Sequence, residues 1–383
     1  MNYPPSKLPD VGTTIFTVMS KMAADHNAIN LSQGFPDFNG PKALLEKVGY
    51  YVEQGANQYA PMAGVPRLRE AIAEKVQRHY GREVSAENEI TVTSGGTEAI
   101  FDALAATVSV GEEVIILDPA FDCYAPAVLL NGGVPVHVQL QPPSFAIDWD
   151  VLQAAITPKT RMIMLNSPHN PTGAVFTSND IEALCNIVRG TDILLLGDDV
   201  YEHILFDGKE HHSFIRTDEL YQRSFSISSF GKTYHATGWK LAYCVAPPKL
   251  TEEFRKVHQF VTFTSSTPKQ LALADYMEQD PQHCYDLAGF YQQKRDLFNT
   301  EMAKSRFTFT PSGGTYFQLM DYSAINSEMN DVEFCEWLTK EVGVAAIPIS
   351  VFCKEPPEMK LVRFCFAKND ETLLQATRLL TEL

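Results

Sequence analysis

Two lysines stand eight positions apart in SSFGKTYHATGWK (228–240), among hydroxyls, glycines and aromatics and directly after the alternating run SFSIS. A deprotonated lysine amine attacks carbonyl carbons, and a charged one anchors phosphate or carboxylate. Taken alone, Lys232 or Lys240 reads as a solvated loop residue. Three other stretches offer complementary chemistry. SGGTEAI (94–100) sets two glycines ahead of Thr97, where a helix start would present free N–H groups and its dipole to an anion. By itself it reads equally well as a glycine turn on an ordinary helix. SPHNPTG (167–173) has two prolines that would hold Asn170 rigidly with donor and acceptor both available, or simply make an Asx-turn. DDVYEH (198–203) places Asp198 where a carboxylate needs a cation or several donors to stay charged, with a helix N-cap as the competing reading.

All four stretches follow short apolar segments. Seven such segments read as strands: 89–94, 112–118, 134–140, 161–166, 192–198, 224–229 and 241–246. Between them, 97–108, 178–188 and 251–261 have helical periodicity, two opening on a Thr or Ser cap. This alternation predicts an α/β fold with one mainly parallel sheet covered by helices on both faces. In such sheets ligands bind beyond the carboxyl ends of the strands, where the four stretches would converge. After about residue 282 a long helix precedes strand signals at 307–310, 314–321, 344–350 and 361–367 and a terminal helix, the texture of a smaller α+β domain. The expected division is 1–45 as an N-terminal arm and part of the small domain, 46–281 as the large domain and 282–383 as the rest of the small one.

The 383 residues carry 31 Lys plus Arg against 47 Asp plus Glu, a net charge of −16, which disfavours nucleic-acid and anionic membrane partners. Seven scattered cysteines without a C-x-x-C pair read as reduced thiols. No apolar run approaches the length needed to cross a bilayer, and the first residues do not resemble a leader, so a cytoplasmic protein is expected. No metal is expected.

An amine, an acid, an amide and a phosphate cradle at one sheet edge suit pyridoxal 5'-phosphate. Lysine forms a Schiff base with its aldehyde, and a carboxylate keeps the ring nitrogen protonated so that the ring withdraws electrons. The sequence resembles the class I/II pyridoxal-phosphate aminotransferases of fold type I. The resemblance is carried in order by NLSQGFPDF, NQYAP, SGGTEA, DPAFDCYAPA, SPHNPTG, DDVYEH, SSFGKTYHATGWK, GGTYF and LVRFCFAK.

The resemblance implies a role for each matching residue. Lys232 would carry the cofactor and then shuttle the substrate's α-proton, with Asp198 on the pyridine nitrogen. Tyr201 and Asn170 would bond the ring's phenolate oxygen and Phe121 would stack on the ring. Gly96, Thr97, Ser229 and Lys240 would hold the phosphate. Tyr59 would reach the phosphate of a second subunit, which implies a homodimer with shared sites. Arg363, helped by Gly34 and Asn170, would grip the substrate's α-carboxylate. Phe16, with the other subunit's copies of residues Phe263 and Thr264, would line the side-chain pocket.

Two positions depart from many members of the family: Lys240 stands where arginine is common, and Gly231 where serine or alanine precedes the lysine. The pattern GKT...TGWK resembles the branch acting on methionine, glutamine and kynurenine. The expected reaction is ping-pong transamination between an amino-acid donor and a 2-oxo acid acceptor. Methionine is the favoured donor; phenylalanine, tyrosine, leucine, histidine and glutamine are others, and aspartate is disfavoured because no second arginine stands out. Alternatives are β-lyase activity on cysteine conjugates, kynurenine transamination on the same site, and a regulatory descendant. A nicotinamide oxidoreductase is the least suited, since G-x-G-x-x-G is absent.

Overall fold

The computed structural model describes residues 3–383. Its centre is a seven-stranded sheet of β1 (Ile90–Thr93), β2 (Glu113–Asp118), β3 (Val134–Gln139), β4 (Thr160–Asn166), β5 (Leu194–Asp198), β6 (Ser224–Ser229) and β7 (Ala242–Val245), in the spatial order β1-β7-β6-β5-β4-β2-β3. Every neighbouring pair is parallel except those made by β7, which runs antiparallel to β1 and β6. The expected α/β class and mainly parallel sheet are therefore present.

Side chains that alternate along β2 enter two different cores. Val114 and Ile116 pack with Ile100, Met164 and Phe254 on one face, and Ile115 and Leu117 with Ile163, Leu184 and Phe214 on the other. Both faces are covered, which is why the strands read as continuous apolar runs. The helix Gly96–Thr107 begins at Gly95, whose φ of 90° lies in the region open to glycine, with no side-chain cap. The expected Thr97 cap is thus replaced by a backbone turn. The helix Ser178–Val188 starts with a capping box between Thr177 and Asp180, and the helix at 251–261 begins earlier, at Pro248.

The chain's end builds β8 (Phe317–Asp321), β9 (Ile347–Pro348) and β10 (Leu361–Cys365), paired antiparallel in the order β9-β10-β8 and sharing a core with the helices His283–Met302 and Asp370–Thr381. Met19 and Leu31 enter the same core, and Ile29–Asn30 pairs in parallel with Val344–Ala345. Two strand expectations fail here. Residues 307–310 make one bridge, Thr308 to Asp321, because their alternation records the burial of Phe307 and the packing of Phe309, not a ladder. Residues 344–350 divide into two strands that pair in different sheets, and Pro348, which has no N–H, lies on an edge strand. The helices Ile15–Asp25, Lys42–Glu53, Pro66–Tyr80 and Thr267–Gln279 fall in stretches that the sequence reading left unassigned.

Candidate active site

β4, β5 and β6 end in Asn166, Asp198 and Ser229, and together with Gly96 at the helix start they border a cleft of about 270 Å³. Twelve of the residues singled out from the sequence line it: Phe16, Gly34, Gly96, Thr97, Phe121, Asn170, Asp198, Tyr201, Ser229, Lys232, Lys240 and Arg363.

Lys232 lies in the short helical turn Phe230–Thr233. Its Nζ donates to Tyr316 Oη at 3.0 Å, sits 3.4 Å from the Gly34 carbonyl oxygen, and lies 5.5 Å from the ring centres of Tyr201 and Tyr316. None of these close partners is a carboxylate. Burial pushes its pKa down to about 8, and the positive charge of Arg363 adds to that. The amine is therefore poised to lose its proton near neutrality.

Asp198 is buried, which raises its pKa to about 6, against the hydrogen bond that Tyr124 Oη donates to Oδ2 at 2.5 Å. Asn166 Nδ2 donates to its carbonyl at 2.6 Å, while Asn166 Oδ1 accepts from the Asn170 N–H at 2.7 Å. One asparagine at a strand end thus ties the Asp198 strand to the Asn170 turn.

Arg363 leaves β10 for the cleft and is 1% exposed. Its guanidinium lies 3.8 Å over the Phe317 ring and donates to Asn170 Oδ1 at 2.7 Å and to the Ser32 carbonyl at 3.2 Å, whereas Nε has no partner. A buried cation with only neutral partners and a free donor is an unfinished anion site.

At the opposite end, Lys240 has φ of 52° and folds over Gly95, where an added Cβ would lie 3.2 Å from Nζ. Glycine there leaves room for the amine above the free N–H groups of the helix start. Gly231, the second departure from the family pattern, has a structural cause: a Cβ would lie 2.9 Å from the Thr237 Cα. Behind the cleft Glu202, next to Tyr201, is buried against Lys75 and Tyr80, with Tyr243 Oη 3.2 Å from its other oxygen. Lys75 holds the Glu202 carboxyl far below its ordinary range in spite of burial.

Tyr59, Phe263 and Thr264 do not join the cleft. They form an exterior patch in which Tyr59, 84% exposed, meets Phe263 edge-on at 5.6 Å and Thr264 Oγ1 donates to the Pro61 carbonyl at 3.3 Å. Tyr124, Asn166, Tyr316 and Ser32 belong to the site and were missed from sequence. Ser32, Tyr124 and Tyr316 lie inside the motifs NLSQGFPDF, DPAFDCYAPA and GGTYF, and Asn166 is the last residue of its strand as Asp198 is of the next, which are the signals that could have found them. His235 and Tyr234, between the two lysines, turn elsewhere: His235 Nδ1 meets Tyr291 Oη at 2.9 Å, and Tyr234 Oη meets Cys284 Sγ at 3.8 Å.

A family model described as aminotransferase class I and II matches residues 26–380. The chain belongs to that family. It is 52% identical over 380 residues to the methionine aminotransferase of Escherichia coli strain K12, covering 99% of this chain and 98% of the relative. A solved Escherichia coli structure, described by its methionine aminotransferase function, superposes with a TM-score of 0.98 over 100% of both chains at 52% identity. The chain is also 33% identical to the kynurenine–oxoglutarate transaminase of Dictyostelium discoideum, over 97% of this chain and 94% of that one. It shares 30% identity and a TM-score of 0.90, over 100% of each chain, with a Thermus thermophilus aspartate aminotransferase.

The protein is accordingly a fold type I aminotransferase that depends on pyridoxal 5'-phosphate. The donor set fits that group: the glycine-lined helix start with Lys240 and Ser229 suits its phosphate, the buried Asp198 its ring nitrogen and the Lys232 amine its aldehyde.

Proposed function

We propose that the aminotransferase takes the amino group of a neutral L-amino acid, methionine foremost, and passes it to a 2-oxo acid. The observation that carries this reading is Arg363, a buried guanidinium with an unpartnered Nε in the same cleft as an amine of lowered pKa. It would fork onto the substrate's α-carboxylate and bring Cα within reach of Lys232, which moves the α-proton. Pyridoxal phosphate would supply electron withdrawal when bound; Asp198 would hold its ring nitrogen protonated, Tyr201 and Asn170 would hydrogen-bond its phenolate oxygen and Phe121 would pack against it. Gly96, Thr97, Ser229 and Lys240 hold the phosphate, and Gly34 assists the carboxylate grip.

For the side chain, Phe16, Phe121 and Phe317 give the cleft aromatic walls, and Arg363 is the one arginine lining it among the described residues. Aromatic faces suit a thioether, and nothing in this chain's cleft answers a second carboxylate. The 52% identity to a methionine aminotransferase supports the same donor. Kynurenine is the second reading, supported by the flat walls and the kynurenine-transaminase relative.

The chain is further read as a cytoplasmic homodimer: its cysteines are all free thiols, and Tyr59, Phe263 and Thr264 are grouped outside the cleft, where they can complete a partner's site. No helix among the described residues is long and apolar enough to cross a membrane. Residues 1–45 and 282–383 would act together as the small domain, against 46–281. The test adds each amino acid singly to the holoenzyme without an acceptor and follows the visible absorbance of the lysine-bound cofactor. Methionine should abolish it fastest. A strong aspartate preference overturns the proposed donor class, and pyruvate released without any acceptor from a cysteine conjugate exposes a β-lyase.

A further inference from the structure

His258 is fully buried and belongs to none of the motifs that shape the cleft. Its Nδ1 lies 2.6 Å from Glu98 Oε1 and 3.3 Å from Asp102 Oδ2, both on the helix Gly96–Thr107, and its Nε2 lies 3.1 Å from the Met62 carbonyl. A carbonyl only accepts, and an ionised carboxylate only accepts, so both ring nitrogens carry protons and the ring is an imidazolium. Burial opposes that charge, but the bonds to Asp102 and Glu98 outweigh it and raise the pKa to about 9.

Two functional pieces meet at this ring, and a third is held by the backbone carbonyl of the same residue. Glu98 follows Thr97 of the phosphate cradle, and its other oxygen accepts the Ser94 N–H at 2.6 Å, which closes the glycine turn. Met62 lies three residues after Tyr59 in the loop between the helices Lys42–Glu53 and Pro66–Tyr80. The His258 carbonyl accepts the N–H groups of Thr262 at 3.1 Å and Phe263 at 2.9 Å. Phe263 has φ of 71°, a conformation that bulky residues avoid unless their surroundings impose it. Ser265 Oγ lies 2.8 Å from Ser94 Oγ, which joins the same loop to the cradle a second time.

We infer that His258 is a positioning residue that locks the chain's own phosphate cradle to the Tyr59–Phe263–Thr264 patch it lends to the second subunit, so that the two active sites of a dimer are built on one buried tie. The inference rests on the proposed homodimer with shared sites. The observations that set it apart from ordinary core packing are the two donors aimed in opposite directions and the separate destinations of the elements they hold.

The test uses heterodimers purified through two different tags, in which one chain carries Lys232→Ala and a single live lysine remains. The reference pair has no other change. In the test pair, His258→Gln is placed on the chain that already lacks Lys232, so the live site keeps its own intact cradle and receives only the altered patch. Cofactor affinity is read from the visible absorbance of pyridoxal phosphate bound at the live lysine, and the amino-acid KM from initial rates.

Cofactor affinity should fall and the amino-acid KM rise at least fivefold, and a smaller change in either overturns the inference. Should the His258→Gln chain fail to fold, Glu98→Gln at the same place makes the same comparison. A wild-type chain that stays monomeric, or binds no pyridoxal phosphate, overturns the parent reading as well; a normal wild type with an unaffected test pair overturns this inference alone.

Discussion

The amine of Lys232 is stripped of water by its surroundings and given no carboxylate at close range, so the charged form is the one that loses. Attack on the cofactor's aldehyde needs the neutral form, so the rate at which the apoenzyme takes up pyridoxal phosphate should rise with pH and level off above about 8. A rate still climbing at pH 10 would indicate an ordinary lysine. Lys232→Ala should leave no visible absorbance and no turnover, whereas Lys240→Arg should keep both, because position 240 needs only a cation. Arg363→Gln removes a charged fork and should lower kcat/KM by roughly ten- to a hundredfold, corresponding to about 1.5–3 kcal/mol. Arg363 was legible because it stands between the apolar Val362 and Phe364, whereas each lysine reads as a loop residue alone and became legible only through the four converging stretches and the family resemblance. Tyr124 was not legible, since a tyrosine three places after Phe121 reads as core until the fold sets its hydroxyl on Asp198.

Elements explain how such side chains are held. The segment 198–203 carries Asp198 and Tyr201 and is pinned from behind by Glu202, whose charge is matched by Lys75 from the helix Pro66–Tyr80. Lys75→Met leaves that carboxylate buried without its cation, though still bonded by Tyr80 and Tyr243, and should cost about 3–5 kcal/mol, read as a fall in Tm or in the denaturant midpoint. The double variant Lys75→Met, Glu202→Met removes the orphan and should recover most of the loss. Equal losses in both would mean that the helix packing, not the ion pair, carries the effect. Strands were legible as apolar runs with turn residues beyond them, and the sheet followed from their alternation with helices. The Lys75 helix was not, because its apolar stripe is broken by Arg69 and Lys75 themselves, Arg69 buried against the Ala86 carbonyl and Glu87 and Lys75 against Glu202, 127 residues away. Gly231 belongs here too: its missing Cβ lets the backbone of residues 236 and 237 close over the lysine turn. Gly231→Ala should loosen that turn at a cost of about 1–3 kcal/mol and weaken retention of the cofactor, which dialysis and absorbance would show.

At the scale of the molecule, the cleft assembled by one chain has a phosphate end, a ring partner, an amine and a carboxylate grip, but the aromatic patch at Tyr59 and Phe263 faces outward. Tyr59 is 84% and Phe260 85% exposed, and Val261 and Phe263 lie beside them, so several large apolar side chains are exposed in one region of a chain that is otherwise strongly acidic. Isolated exposed aromatics are ordinary, but a cluster of this kind suits the proposed dimer, in which an isologous contact would bury it and deliver Tyr59 to the other subunit. Phe260→Glu would put one negative charge on each side of that contact without touching the cleft. Sedimentation should then show dimers for the unchanged chain and monomers for the variant, and activity should fall with the dimer fraction and return at high protein concentration. If Phe260→Glu remained dimeric and fully active, the contact would have to lie elsewhere on the surface, and Tyr59 could no longer be the residue that completes the neighbouring site.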